Sequence, residues 1–180
     1  TCRNVIPAAV GSWTDYTLID RILQDREIVV HGDGTSLWTI MSSADFARGF
    51  NGLLGHSQAI GHSFHITSDE VLTWNQIYKI MGEAVGKKPR MVHVASDYIC
   101  KIADDLGMYF MRGNLLGDKA QSVIFDNSKI KTFVPGFQAT TPFRVTIQNA
   151  LAWFEEKPGR KVISRENNQL LDTILETYPH

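Results

Sequence analysis

The stretch His31-Gly32-Asp33-Gly34-Thr35-Ser36-Leu37-Trp38-Thr39-Ile40-Met41-Ser42-Ser43-Ala44-Asp45-Phe46-Ala47 decides how the rest of the chain is read. Three strongly β-prone residues, Ile28, Val29 and Val30, run into it. Gly32-Asp33-Gly34 then breaks the extension as a turn, because glycine accepts backbone angles that other residues resist. A second extended piece follows over 37–41. Ser42 or Ser43 stands where a helix N-cap belongs, and Asp45 falls in the first turn, where a carboxylate suits the helix dipole. Phe46, Ala47 and Phe50 ride on that helix. The order is strand, tight turn, strand, capped helix.

Working outward, Asp15 caps a helix whose apolar positions Leu18, Ile19, Ile22 and Leu23 form one stripe. Residues 1–14, with Pro7, Gly11 and Trp13, read as loop or a short helix. Downstream, residues 62–67 alternate like a strand. Thr73 caps an amphipathic helix carrying Ile77, Ile80, Met81 and Val85, which stops at Gly86-Lys87-Lys88-Pro89. Met91 to Val94 is a short strand, and Ser96 or Asp97 caps a helix to about Leu106. Residues 108–122 are apolar without a period, Val123 to Phe125 is strand-like, and Asp126 to Lys129 opens a short helical turn. Thr141-Pro142 starts a longer helix with Val145, Ile147, Ala150, Leu151 and Phe154, and Ser164 caps a last one with Leu170, Leu171, Ile174 and Leu175. Alternating elements of this kind are α/β, rich in helix and poor in strand. So few short strands make a weak core alone, so part of the apolar surface is expected to pack on chain outside these 180 residues.

A hydrophobic content of 43% with 21% charged residues is that of a globular protein. A net charge of -1 supplies no basic field for nucleic acid. No apolar run is long enough to span a bilayer. The start, Thr1 to Pro7, has neither a signal peptide's apolar core nor an initiator Met, which reads as a cut or processed chain. Cys2 and Cys100 are isolated thiols without metal or redox spacing, as in a reducing, cytoplasmic setting.

The opening stretch resembles a segment of extended short-chain dehydrogenases/reductases of the NAD-dependent epimerase/dehydratase family. That segment reads G-(D/N)-G, several residues, then R-D-F/Y-I-H-V-x-D-hydrophobic-A. Gly32, Gly34, Ile40, Asp45 and Ala47 match it; Trp38 stands where the family has Arg, and Ser42 where it has His. Further family patterns follow in order: Phe64-His65-Ile66-Thr67-Ser68 with Thr73, then Ala84-Val85-Gly86-Lys87-Lys88-Pro89, Asp126-Asn127-Ser128-Lys129-Ile130, Gly136-Phe137 and Trp153-Phe154. Order and spacing agree from about residue 28 to 157. The resemblance implies an incomplete Rossmann-type α/β fold, with residues 1–180 as the C-terminal, substrate-binding region and the N-terminal dinucleotide-binding half absent. NAD or NADP would be the cofactor of the complete protein, held by residues outside this chain. The partners implied are a small-molecule substrate and the missing nucleotide-binding half, with no nucleic acid or membrane; a homodimer of the complete protein is allowed.

The family's catalytic pair is Y-x-x-x-K, in which Tyr is the acid/base and Lys lowers its pKa. Four residues after Tyr16, Tyr78 and Tyr109 come Asp20, Gly82 and Gly113, and Tyr98 is one residue too close to Lys101. The chain alone is therefore expected not to transfer hydride, and no catalytic residue is assigned to it. The alternative is a binding or interaction module that reuses this half of the fold. For substrate binding, the resemblance points to Trp38, Tyr109, Arg112, Leu115 and Asp118. The family Arg at position 38 resembles a diphosphate ligand, a role that suits a guanidinium and not an indole. A second family Arg, two residues before the Gly117-Asp118 match, is Leu115 here, with Arg112 three residues further back. Two lost donors argue against a UDP-sugar, and Trp38, Tyr109, Phe110 and Leu115 would line a more apolar pocket.

Other clusters read as structural. His62 and His65 on one strand would point to opposite faces and share no metal. Asp104 and Asp105 face different ways on a helix. Gly49, Gly52 and Gly55 sit at a helix end and not between a strand and a helix start, so they read as close packing or a frayed terminus and not as a nucleotide loop.

Overall fold

The computed structural model describes residues 15–179. The first reading, over 1–14, and Cys2 lie outside that range. Helix α1 (Tyr16–Leu23) begins where the Asp15 carboxylate accepts from the Thr17 N–H at 2.9 Å. Leu18, Ile19 and Ile22 are buried as the stripe requires, while Leu23, in the last turn, faces solvent. Strand β1 (Glu27–His31) follows, and β2 (Leu37–Trp38) comes after the glycine turn. Gly32 and Gly34 both adopt left-handed angles, with φ of 59° and 71°. A Cβ on Gly34 would also lie 2.3 Å from the Asn75 amide, so the turn needs glycine there twice over.

Helix α2 (Ser43–Leu53) is capped by Ser42, whose hydroxyl accepts from the Asp45 N–H at 3.2 Å. Strand β3 (Leu72–Thr73) leads directly into α3 (Trp74–Ala84). There Thr73 and Gln76 satisfy each other's backbone N–H groups in a capping box. Strand β4 (Arg90–Val94), α4 (Ser96–Asp105) and α5 (Phe110–Asn114) follow, and α5 runs into a π-helical turn at Leu115–Lys119. The remaining helices are α6 (Ser128–Phe133), α7 (Phe143–Glu156) and α8 (Arg165–Thr177). The described residues thus form an α/β fold with eight α-helices and a small parallel sheet. No helix among them is long and apolar enough to cross a membrane.

β1 and β4 pair in parallel, with Ile28 opposite Met91 and Val30 opposite His93. The Gly32 N–H extends the ladder to the Val94 carbonyl at 2.8 Å. Strand alternation makes this pair a wall between two cores. Ile28 and Val30 face a core built with α1, α3 and α7, while Val29 and Val94 face another built with α4 and α8. A third, smaller cluster joins Met41, Ile66, Ile130 and Phe137 around α2 and α6. β2 and β3 form a separate antiparallel pair, Leu37 with Thr73 and Trp38 with Leu72.

Two strand readings are corrected. Residues 62–67 and 123–125 are not in strands. A strand exists only when a neighbour pairs its backbone, and alternation alone supplies none. Ser63, His65 and Ile66 have no backbone hydrogen-bonding partner among the described residues. Val123 makes one such bond, its N–H donating to the Leu37 carbonyl at 3.1 Å. Gly49 and Gly52 behave as packing, while Gly55, with a φ of 75° and open space around it, ends the helix. A Cβ on Gly49 would lie 2.8 Å from Ile66, and one on Gly52 would lie 2.4 Å from Val134.

Candidate functional site

In open α/β sheets, ligand crevices form outside the carboxyl ends of parallel strands. Here those ends are His31 and Val94. One side of this end is closed and the other is open.

The closed side is built on His31. Its ring is buried, and Nε2 lies 3.1 Å from the Lys119 carbonyl, which can only accept, so Nε2 carries the proton. The Ser36 hydroxyl donates to the same carbonyl at 3.0 Å. The Trp74 ring meets His31 edge-on at 4.9 Å. Burial pushes the His31 imidazole down to about 4, against a weaker opposing effect of its bond to Lys119. At neutral pH His31 is therefore an uncharged donor that holds the 115–119 turn. Lys119, itself nearly buried, carries its ammonium 5.7 Å above the Trp38 ring and 3.4 Å from both the Asp118 carboxylate and the Asn114 carbonyl.

The open side is a pocket of about 590 Å³ lined by Gly32, Asp33, Asn75, His93, Ala95 and Tyr178. The Asn75 amide donates to the Asp33 carbonyl at 2.9 Å and faces His93 Nε2 with its oxygen at 2.8 Å. The Asp33 carboxylate accepts from the Thr35 hydroxyl and N–H at 2.6 and 2.9 Å; these bonds, the hydroxyl first, hold it below the usual carboxylate range.

The sequence-derived candidates fall in different places. Trp38 and Asp118 both approach Lys119 on the closed side. Leu115 is buried in the core between α4 and α8. Arg112 pairs with Asp104 at the surface, Nη2 to carboxylate at 2.6 Å, and Tyr109 is 73% exposed. Trp38, Tyr109, Phe110 and Leu115 do not meet in one pocket: Trp38 and Leu115 lie in separate cores, and Tyr109 and Phe110 face outward. His31, Ser36, Lys119, Asn75 and His93 were not singled out by sequence. The contact of His31 with Lys119 joins residues 88 positions apart, and no local pattern marks such a pair.

Gly49 and Gly52 are packed against side chains inside α2, so no glycine loop fronts a helix start there. No group of three or more metal-ligating side chains clusters among the described residues. Tyr98, the tyrosine nearest a lysine in sequence, spends its hydroxyl on the Thr177 carbonyl at 2.8 Å.

UDP-glucuronic acid 4-epimerase from Bacillus cereus, in complex with UDP-glucuronic acid and NAD, matches this fold with a TM-score of 0.60 and 18% identity, over 81% of this chain and 40% of its own. The dTDP-glucose 4,6-dehydratase of Streptomyces venezuelae, with NAD bound, matches with a TM-score of 0.58 and 18% identity, over 88% and 43%. UDP-glucose 4-epimerase from Thermotoga maritima, with UDP-glucose, matches at 0.57 and 18%, over 86% and 44%. The chain has the fold of one part of an extended short-chain dehydrogenase/reductase. It spans 38–44% of the length of these structures and of the similar ones around them. No protein-family model and no curated protein matches the sequence.

Proposed function

We propose that the chain is the substrate-binding part of a cytoplasmic NAD(P)-dependent epimerase, dehydratase or reductase, and is not catalytic by itself. The observation that carries this reading is the fold likeness to NAD complexes of epimerases and dehydratases, which covers most of this chain but under half of theirs. The absence of Y-x-x-x-K from the sequence supports the second half of the proposal.

The partner in this reading is a nucleotide-binding portion. Two features support a docking face for it. The segment around Ser63, His65 and Ile66 has no backbone pairing neighbour among the described residues, which leaves it open to an added strand. Beside it, Phe50, Leu54, Ile60 and Phe64 line an apolar groove of about 460 Å³, with Ile60 81% exposed. The substrate in this reading is not a UDP-sugar. Lys119, which lies over the Trp38 ring, is a single ammonium already facing the Asp118 carboxylate, and it offers no bidentate fork for a diphosphate.

The test is to find the longest natural product carrying these residues, by immunoblot and intact mass, and to titrate it and the 180-residue chain with NAD. A longer product that binds NAD, beside a chain that does not, supports the proposal. A natural product no longer than this chain, without NAD binding, overturns it in favour of a stand-alone binding module.

A further inference from the structure

We infer that the apolar groove beside α2 is a pH-sensitive seam, in which protonation of His56 and His62 weakens the hold on the nucleotide-binding portion. The seam rests on the docking proposed above and adds to it the condition under which the two portions part. The occupant follows from length. This chain spans 40–43% of structures whose fold it shares, and the groove adjoins the segment around Ser63, His65 and Ile66 that is open to an added strand.

Both imidazoles line the groove with Phe50, Leu54, Ile60 and Phe64. Phe133, at the end of α6, anchors them, with ring centroids 5.7 Å from His56 and 5.5 Å from His62. His62 also meets Phe64 edge-on at 6.3 Å. Neither imidazole has a hydrogen bond or a carboxylate partner among the described residues. The lining that α2 and the 55–64 segment supply holds no carboxylate at all. From α6, the charge set on the lining is itself a cation, the Lys129 ammonium 5.0 Å above the Phe64 ring. Its neighbour Lys131 is neutralised by Asp69 at 2.8 Å.

Neutral imidazoles suit an apolar seam. An imidazolium does not: covering the groove strips water from its charge, Lys129 repels it, and no carboxylate of the lining answers it. The Phe133 face attracts an imidazolium, but that attraction is present in the open groove too and offers docking little. The open groove therefore binds more protons than the covered one, so docking weakens as pH falls. Histidine is the residue type whose charge changes between about pH 5 and 8, which places the effect in a mild range.

The experiment uses the longer natural product. Urea unfolding is measured at pH 7.5 and 5.5 in the wild type and in His56→Gln/His62→Gln. His62 is exposed and His56 half-buried, so glutamine fits at both positions and stays uncharged. The imidazole of His31 titrates in the same direction, but both proteins keep it and its effect cancels in the comparison. On going to pH 5.5, the unfolding equilibrium constant of the wild type is expected to rise further than that of the variant, by about fivefold for each imidazole. The 180-residue chain alone, whose groove is open, should show no such difference between wild type and variant. A longer product that binds NAD, with a pH response unchanged by the two substitutions, overturns the seam and leaves the docking standing. So does an equal difference in the 180-residue chain alone, or a wild type that gains on the variant at pH 5.5, the mark of a carboxylate of the docked portion against these rings. Absence of a longer product overturns seam and docking together.

Discussion

The side-chain amide of Asn127 lies against the backbone of Thr67 as a neighbouring strand would, accepting from its N–H at 3.2 Å and donating to its carbonyl at 2.6 Å. Both residues are buried. The same amide nitrogen reaches the Asp69 carboxylate at 3.1 Å. One side chain thus ends the extended segment 62–67 and ties it to the entrance of α6. Asn127→Ala leaves two buried backbone groups unpaired, and a loss of about 2–4 kcal/mol is expected. Urea unfolding measures it as a lower midpoint at unchanged slope; a loss under about 0.5 kcal/mol would show that water replaces the amide without cost.

Asp45 is a second buried junction. Its carboxylate accepts from the Thr141 N–H at 2.9 Å and the Thr141 hydroxyl at 3.0 Å, and pairs with Arg48. It fastens the first turn of α2 to the chain entering α7. Asp45→Asn turns an acceptor into a donor that faces donors, and should cost about 2–3 kcal/mol. Thr141→Val removes one bond and should cost about 1 kcal/mol. The order of the two variants in thermal unfolding is the readout, and a reversed order would place the weight on Thr141 packing instead.

Much of the helical framework was legible because its signals are local. Asp15, Ser42, Thr73 and Ser164 cap their helices through N–H groups two or three residues on, so the sequence carries both partners side by side. Residues 62–67 were not legible in the same way, since strand alternation says which side chains match but not whether a neighbour exists. The site was the least legible part. Lys119 meets Trp38, Ser36 and His31 across sequence separations of 81 to 88, and only its neighbour Asp118 falls within a recognisable pattern. Tyr109 and Phe110 had the residue type of pocket walls, but residue type does not say which side of a short helix meets solvent.

His31 makes stability depend on pH. Its folded value, about 4, lies below the ordinary 6.5, so the unfolded chain binds the extra proton. The contribution is fully present above pH 6.5 and is lost as pH falls from there toward 4. A loss of about 2–3 kcal/mol between pH 7.5 and 4.5 follows from that separation. Asp69 and Asp172, whose carboxyls lie below their ordinary 3.8, act only at lower pH and leave this window clear. In His31→Gln, which retains a donor for the Lys119 carbonyl, unfolding free energies at the two pH values should converge. If the wild-type slope persists in that variant, another group titrates there.

Gly52 tests whether the glycines of α2 serve packing. A Cβ at this position would stand 2.4 Å from Val134 Cγ1 and 2.9 Å from Cγ2, on a β-branched side chain with few alternative rotamers. Alanine inside a helix gains about 1 kcal/mol over glycine in propensity, and overpacking costs about 1–3 kcal/mol. The steric term wins at this distance, so Gly52→Ala should lower stability by about 1 kcal/mol. Val134→Ala loses apolar contact by itself but removes the obstacle. Combined with Gly52→Ala, it should therefore be less harmful than the two separate losses added together, with a favourable coupling of about 1 kcal/mol in a double-mutant cycle. Additive losses would mean that α2 and the 134–137 turn move apart instead of colliding. The glycine would then reflect the conformational needs of the helix end and not its close approach to Val134.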